Sequence, residues 1–143
     1  SICFTPCGKT AYFTDTSEQK IMRVSLDSVG WPKSEPEVFK DFQNDNINPD
    51  GSVVDSDGCL WNAQWGSSRV AKYNPAGELL MTIEIEAPQC SCPAFGGDDL
   101  STLFITSARE GMSKTSLNLA PKSGFVFFAN QVGKGQRESQ III

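Results

Sequence analysis

A four-strand pattern repeats along this sequence and restricts its fold more than any other feature. Short runs rich in β-branched and aromatic residues alternate with turns that contain Gly or Asp, without convincing helical periodicity. Ala11, Cys59 and Leu103 occupy matching places in successive units, 48 and then 44 residues apart. A period of about 40–50 residues with four strands per unit indicates the blades of a β-propeller. A β-sandwich is the alternative, but it does not explain why the strands recur in order.

The repeat predicts an all-β fold, with about three four-stranded blades in a single partial propeller domain. The predicted blades span residues 1–45, 46–89 and 90–143. After the first strand of each blade, we predict strands at 10–14, 20–25 and 37–42, at 59–63, 69–73 and 79–85, and at 102–106, 124–129 and 138–143. Residues 110–121 interrupt this rhythm and predict a short helix or a folded loop. That insertion is either a lid over a site or a surface element held by its apolar residues.

Three blades do not close a ring, since propellers usually have about four to eight. An isolated arc would expose its two end faces and the edges of its sheets. The sequence therefore predicts that a missing N-terminal half, or a second copy in a C2 dimer, completes a propeller of the six-bladed class.

Charge and composition exclude several classes of partner. The 143 residues carry 12 basic and 17 acidic side chains, a net charge of −5, and the basic residues are scattered singly. Nucleic-acid binding is not expected, because it requires clustered Lys and Arg. No apolar run approaches the roughly 20 residues of a membrane span. The five cysteines, with no visible secretory signal, predict reduced and mostly buried thiols in a cytoplasmic protein.

The sequence contains no His. Ser-His and Cys-His nucleophiles, His-bound zinc and a His general base are therefore excluded from the residues of this chain. Acid–base chemistry would fall to carboxylates, Lys, Tyr or Cys. A bound metal would be held mainly by oxygen, which favours Ca²⁺, Mg²⁺ or Mn²⁺.

Motifs along nearly the whole chain resemble the SMP-30/gluconolactonase family, in the family's order and spacing. They are SICFTPCGKT at 1–10, PDG at 49–51, DSDGCLW at 55–61, GSSRVAKYNP at 66–75, CPAFGG at 92–97 and LFITSA at 103–108. The variant WNAQW at 61–65 is most similar to the sugar-acid lactonases of the family.

The resemblance implies a six-bladed propeller that hydrolyses lactones of sugar acids with one divalent metal in its central channel. We expect Ca²⁺ first, with Zn²⁺, Mg²⁺ or Mn²⁺ as alternatives. Asp50 matches the family's PDG ligand and is predicted as metal ligand and catalytic base. The family's Glu ligand lies further upstream, and its Asn ligand stands immediately before the residue matching Ser1. The resemblance thus implies a C-terminal half with weak or absent metal binding and no catalysis when isolated. A non-catalytic truncated propeller that binds a partner is the alternative function.

Local patterns leave other interpretations open. Asn48-Pro49-Asp50-Gly51 is also a favourable β-turn sequence. Residues 46–57 imitate an EF-hand loop, but poorly, because the flanks are predicted as strands.

Four polar side chains at predicted strand ends are candidates for binding the sugar: Asp15, Asn62, Gln64 and Arg109. Strand alternation places Asn62 and Gln64 on one face and Trp61, Ala63 and Trp65 on the other.

Overall fold

Three antiparallel sheets follow one another along the chain, each built from consecutive strands. The computed structural model describes residues 1–138. The first sheet contains β1 (Ile2–Phe4), β2 (Thr10–Asp15), β3 (Lys20–Ser25) and β4 (Glu37–Asp41). The second contains β5 (Asn48–Val54), β6 (Leu60–Trp65), β7 (Arg69–Tyr73) and β8 (Leu79–Glu84). The predicted all-β fold class is therefore confirmed.

The third sheet has three strands among the described residues: β9 (Cys90–Gly96), β10 (Thr102–Ser107) and β11 (Val126–Asn130). β11 begins two residues later than predicted because Gly124 has a φ of +82° and the Phe125 N–H donates to the Lys122 carbonyl, which forms a turn there. The strand predicted over 138–143 lies outside the described residues except for Glu138, which is not in a strand.

The insertion before β11 contains α1 (Lys114–Leu119), which confirms the short helix. The Ser113 hydroxyl caps it by accepting the Ser116 N–H at 3.1 Å. Leu119 is 84% exposed, so this apolar side chain does not hold the insertion against the sheets.

The sheets pack face to face, and their first strands lie together. β1 contacts β5, and β5 contacts β9, without pairing into one sheet. Successive side chains of β6 point to opposite faces of the second sheet. Leu60 packs against apolar residues of the first sheet, and Trp61 packs against apolar residues of the third. Trp61 meets Phe95 edge-on at 5.6 Å between ring centroids. This radial order of meandering sheets is the arrangement of propeller blades.

The segment 131–138 crosses the end of the arc where the first two strands of each sheet are joined. The Lys134 carbonyl accepts the Ser56 N–H, and the Gly135 N–H donates to the Leu100 carbonyl, both at 2.8 Å. The Gln136 amide reaches the Phe4 carbonyl, also at 2.8 Å. The segment therefore connects all three sheets and covers the end opposite the starts of β1, β5 and β9.

Two further sequence interpretations are decided by the fold. The EF-hand interpretation is wrong, because Asn48 to Val54 forms β5 rather than a loop between helices. All five cysteines are free, and three of them are buried, while Cys7 and Cys92 are exposed. Over the described part of the chain, no helix has the length and apolar character needed to cross a membrane.

Candidate functional site

Asp50 lies in a bulge near the start of β5. Pro49 pairs with Gln64 and Ser52 pairs with Asn62, so Asp50 and Gly51 together face a single residue of β6. Such a two-against-one arrangement bends a strand and redirects its side chains, and it is common beside active sites. The Asn-Pro-Asp-Gly sequence therefore forms an irregular strand here, with Pro49 near the strand start where its missing N–H is tolerated.

The surroundings of Asp50 are only partly hydrated. Its side chain is half-buried, and desolvation raises the pKa of the carboxyl above its usual value. The Gly51 N–H opposes that shift by hydrogen bonding to the carboxylate. Desolvation also raises the pKa values of Cys90, to about 12, and of Cys92, with the Asp50 charge contributing. Asp50 thus lies where the starts of β1, β5 and β9 come together.

Gly51 places β5 directly against β9. A Cβ at this position would lie 2.5 Å from the Ser91 carbonyl oxygen and 2.6 Å from Cys92 Cα. Only a glycine permits this backbone approach without displacement of a strand. The PDG motif therefore supplies both the carboxylate and the close contact that fixes its position relative to the third sheet.

Asn62 supports the same bulge from the opposite side. The side chain is fully buried, and Nδ2 donates to the Asp50 carbonyl at 3.2 Å and to Ser52 Oγ at 3.0 Å. The Ser1 hydroxyl also donates to the Asp50 carbonyl, at 2.9 Å. Asn62 is thus the sequence-predicted candidate that the structure brings into contact with Asp50.

Gln64 is buried two residues further along β6, and its amide is used within the sheet. Nε2 donates to the Tyr73 hydroxyl at 2.9 Å, and Oε1 accepts from Arg69 Nε at 2.6 Å. Its face matches the predicted alternation, since Trp61 and Ala63 pack on the other side of β6. Sugar binding by Gln64 stays a prediction, and its observed contacts are to neighbouring strands.

Asp15 and Arg109 are exposed at the strand ends that border this side of the arc. The Asp15 carboxylate accepts the Ser17 N–H at 3.0 Å and its hydroxyl at 2.7 Å, and these bonds lower the pKa of Asp15. Arg109 donates from Nε to the Ser123 carbonyl at 2.6 Å. Neither side chain makes a hydrogen bond to Asp50 among the described residues, and their predicted role in substrate binding stays a prediction.

Polar contacts that the sequence did not predict connect the first two sheets at this end. Gln19 Nε2 donates to Asn46 Oδ1 at 3.2 Å and to Asn48 Oδ1 at 3.0 Å. Ser1 and Ser52 complete the contacts around Asp50, with their hydroxyl oxygens 3.3 Å apart. Asn48 precedes the PDG motif, which is the only local signal that pointed to this group.

The Asp50 carboxylate has the chemistry of one ligand of a hard divalent cation. A half-buried carboxylate is the oxygen ligand that such ions prefer. Within residues 1–138, however, no group of three or more His, Cys, Asp or Glu side chains is placed to hold a metal ion. Asp50 is therefore a candidate ligand that belongs to no such group among the described residues.

The sequence of residues 1–109 shows the protein family of this chain. The family model of the SMP-30/gluconolactonase/LRE-like region matches residues 1–109, including β5 and its bulge. The chain belongs to this family. Its residues 110–138, with α1, β11 and the crossing segment, lie beyond the matched region.

Two curated relatives show the kind of protein that the chain resembles. It is 39% identical over 129 residues to L-arabinolactonase from Azospirillum brasilense, covering 90% of this chain and 42% of the relative. It is 37% identical over 126 residues to 6-deoxy-6-sulfogluconolactonase from Pseudomonas putida, covering 88% of this chain and 43% of the relative. The chain thus spans less than half the length of these relatives.

A solved structure has closely similar architecture. The crystal structure of a calcium-binding protein, regucalcin, from Agrobacterium tumefaciens strain C58 superimposes with a TM-score of 0.92 at 41% sequence identity. The match covers 96% of this chain and 47% of that protein. The three sheets of this chain therefore correspond to about half of a larger structure.

Proposed function

We infer that this chain contributes three blades to a six-bladed propeller that hydrolyses the lactone of a sugar acid. Asp50 carries the inference, because it is a half-buried carboxylate held in a bulge where the first strands of all three sheets meet. Membership of the family and the lactonase relatives support the reaction class. We assign Asp50 as a metal ligand and as the base that takes a proton from water.

The reaction joins water to an ester. A bond forms between the water oxygen and the lactone carbonyl carbon, and the ring C–O bond breaks. The proton taken by Asp50 passes to the leaving ring oxygen, which becomes a hydroxyl group, and the carboxylic acid product ionises to a carboxylate. A divalent cation, with Ca²⁺ preferred, supplies polarisation of the carbonyl when bound. Desolvation disfavours the charged Asp50 carboxylate when no cation is present, and a cation bound beside it would act in the opposite direction.

Both end faces of the arc are suited to further blades. Ile2 on the first sheet is 65% exposed, and Phe128 on the third is 66% exposed, whereas the faces between the sheets are buried. Exposed apolar faces of this kind favour association. We propose that a preceding N-terminal half or a second copy of the chain covers them. The chain together with the polypeptide that completes the ring is called the assembled protein.

A non-catalytic binding module is the second candidate. It is favoured by the single carboxylate ligand that the described residues supply and by the open apolar faces. Light scattering of the purified chain, with and without Ca²⁺, is the first step, because it shows whether two copies associate, and the activity of the completed protein then separates the two candidates. A discrete dimer supports ring closure by two copies, and a monomer requires a separate partner half.

The activity test uses a single substitution. We expect Asp50→Asn to lower kcat for gluconolactone or arabinonolactone by about 100-fold or more in the assembled protein, because loss of a general base costs about 10²–10⁴-fold. Hydrolysis releases an acid, so a pH-stat records it directly. Asp57→Asn is the matched control, because it removes the same charge from an exposed side chain seven residues away.

The two variants give opposite expectations. Asp57→Asn should keep wild-type activity, while Asp50→Asn should lose it without a change in Tm large enough to indicate unfolding. Equal activity of Asp50→Asn and wild type would exclude Asp50 as the base. An assembled wild-type protein without lactone hydrolysis would favour the binding module.

A further inference from the structure

The buried amide of Asn62 is an exception in its strand. β6 is buried along most of its length, and Asn62 lies between the apolar Trp61 and Ala63. Burying an amide is unfavourable unless hydrogen bonds replace those lost to water. The positions of its hydrogen bonds therefore indicate why an amide is present at this point.

Three acceptors of the bulge share the two N–H groups of the Asn62 amide. Nδ2 lies 3.2 Å from the Asp50 carbonyl oxygen, 3.4 Å from the Gly51 carbonyl oxygen and 3.0 Å from Ser52 Oγ. These residues form the stretch where the pairing of β5 with β6 shifts register. A bulge interrupts the regular ladder, so side-chain donors take over part of its hydrogen bonding.

The bulge is therefore held from two sides. Gly51 abuts the backbone of β9, and Asn62 binds the Asp50 and Gly51 carbonyls from β6. Asn62 Oδ1 makes no hydrogen bond to the described residues, so the bonds of Nδ2 to the bulge determine how the amide is oriented. A shift of the Asn62 side chain would move the peptide to which the Asp50 side chain is attached.

We propose that Asn62 is a positioning residue that fixes the direction of the Asp50 carboxylate through the β5 bulge. It acts on the reaction through Asp50, and this role replaces the sugar contact that the sequence predicted for Asn62. The proposal rests on the proposed function for its catalytic consequence. Its structural consequence, the rigidity of the bulge, can be measured without metal or substrate.

The first test measures the bulge directly in the 143-residue chain. Asn62→Val removes the donors and keeps a side chain of similar width, and we expect amide hydrogen exchange at Gly51 and Ser52 to accelerate at least about 10-fold. Exchange at Val70, in the core of β7, serves as the internal reference and should stay within about 3-fold. Tyr73→Phe is the matched control, because it removes a buried hydrogen bond of the same sheet that does not reach the bulge. Unchanged exchange at Gly51 and Ser52 would overturn the proposal.

The second test uses the assembled protein and separates positioning from substrate contact. We expect Asn62→Val to weaken Ca²⁺ binding in calorimetry by about 10–100-fold, as found when residues that orient metal ligands are changed. kcat should fall by a similar factor, while KM for the lactone stays within about 3-fold. Tyr73→Phe should lower Tm but leave the Ca²⁺ Kd within about 2-fold.

The outcomes distinguish the proposal from the function on which it rests. A raised KM with unchanged kcat would mean that Asn62 contacts the sugar, and it would overturn the positioning role. Wild-type Ca²⁺ affinity and kcat in Asn62→Val would also overturn it, while leaving the proposed function intact. If wild type neither binds Ca²⁺ nor hydrolyses lactones, the proposed function fails, and the exchange experiment alone decides whether Asn62 holds the bulge. Asn62→Ala, which removes the donors without adding bulk or charge, should show the same changes if Asn62→Val does not fold.

Discussion

Replacement of Gly51 by alanine tests the contact between β5 and β9. The added methyl carbon would lie 2.5 Å from the Ser91 carbonyl oxygen and 2.7 Å from Cys92 Cβ. Favourable carbon contacts begin near about 3.5 Å, so the two strands must separate by about 1 Å. The atoms that block the methyl include backbone, which cannot rotate away as a flexible side chain would.

The expected cost follows from two opposing effects. Overpacking costs about 1–3 kcal/mol, and we expect the upper part of that range because backbone must move. Replacing glycine by alanine also restricts the unfolded chain, which stabilises by about 0.4–1 kcal/mol. The net loss should be about 1–2.5 kcal/mol, or a decrease in Tm of roughly 3–9 °C for a chain of this size.

Urea unfolding followed by tryptophan fluorescence measures this loss. Gly66→Ala is the control, because Gly66 has a φ of +84° and open space around its Cβ position, so its cost is conformational only. Both variants should be less stable, but only Gly51→Ala should also reduce lactone hydrolysis in the assembled protein, since Asp50 adjoins the displaced strand. A Gly51→Ala chain as stable as wild type, or more stable, would refute the close approach of β5 and β9.

Two further predictions concern charges in and around the core. Lys72→Met removes the ammonium group that lies 2.9 Å from the carboxylate of Asp55, a residue only 1% exposed. It should lower the free energy of unfolding in urea by about 3 kcal/mol, the low end for a broken buried ion pair, because the Trp61 N–H still donates to Asp55. A loss below about 1 kcal/mol would contradict this expectation. The pKa values of Cys3 and Cys90 are raised from 9.0 to about 12, mainly by burial, so the folded state holds these protons more tightly than the unfolded state. Their contribution to stability is complete below pH 9 and is lost as the pH rises toward 12, at about 1.4 kcal/mol per pH unit for each thiol. Cys90→Ala should make that decline shallower, and an unchanged slope would contradict the assignment.

Much of the fold could be predicted because it depends on local periodicity. The spacing of Ala11, Cys59 and Leu103 gave the repeat, and alternation in β6 placed Asn62 and Trp61 on opposite faces, as the structure confirms. The prediction of strand ends is less accurate where a turn depends on a residue with positive φ, as at Gly124. The division into blades at 1–45, 46–89 and 90–143 stays a prediction.

The details of the site could not be predicted, because they depend on contacts between distant strands. Asn48-Pro49-Asp50-Gly51 has the composition of a β-turn, yet pairing with β6 makes it a bulged strand. Gln64 is polar at a predicted strand end, but its hydrogen bond to the Tyr73 hydroxyl depends on the neighbouring strand, and its contact with the sugar stays a prediction. Asp50 was found through the family motif, whereas the hydrogen bonds of Asn62 required the register of the sheet.

The crossing segment shows the same limit. Nothing in the composition of residues 131–138 predicted that they would connect three sheets. Gly133 and Gly135 permit that path, since a Cβ on Gly133 would lie 3.0 Å from the Trp61 ring and one on Gly135 would overlap Phe95. Such requirements become visible only when the neighbouring sheet is in place.

The most direct test of the central claim is a crystal structure of the assembled protein grown with Ca²⁺. The account predicts a calcium ion with an Asp50 carboxylate oxygen in its coordination shell, at about 2.3–2.6 Å, and no ion at that position in Asp50→Asn crystals. A calcium ion bound away from Asp50, or one retained in the Asp50→Asn protein, would contradict the assignment of Asp50 as the metal ligand.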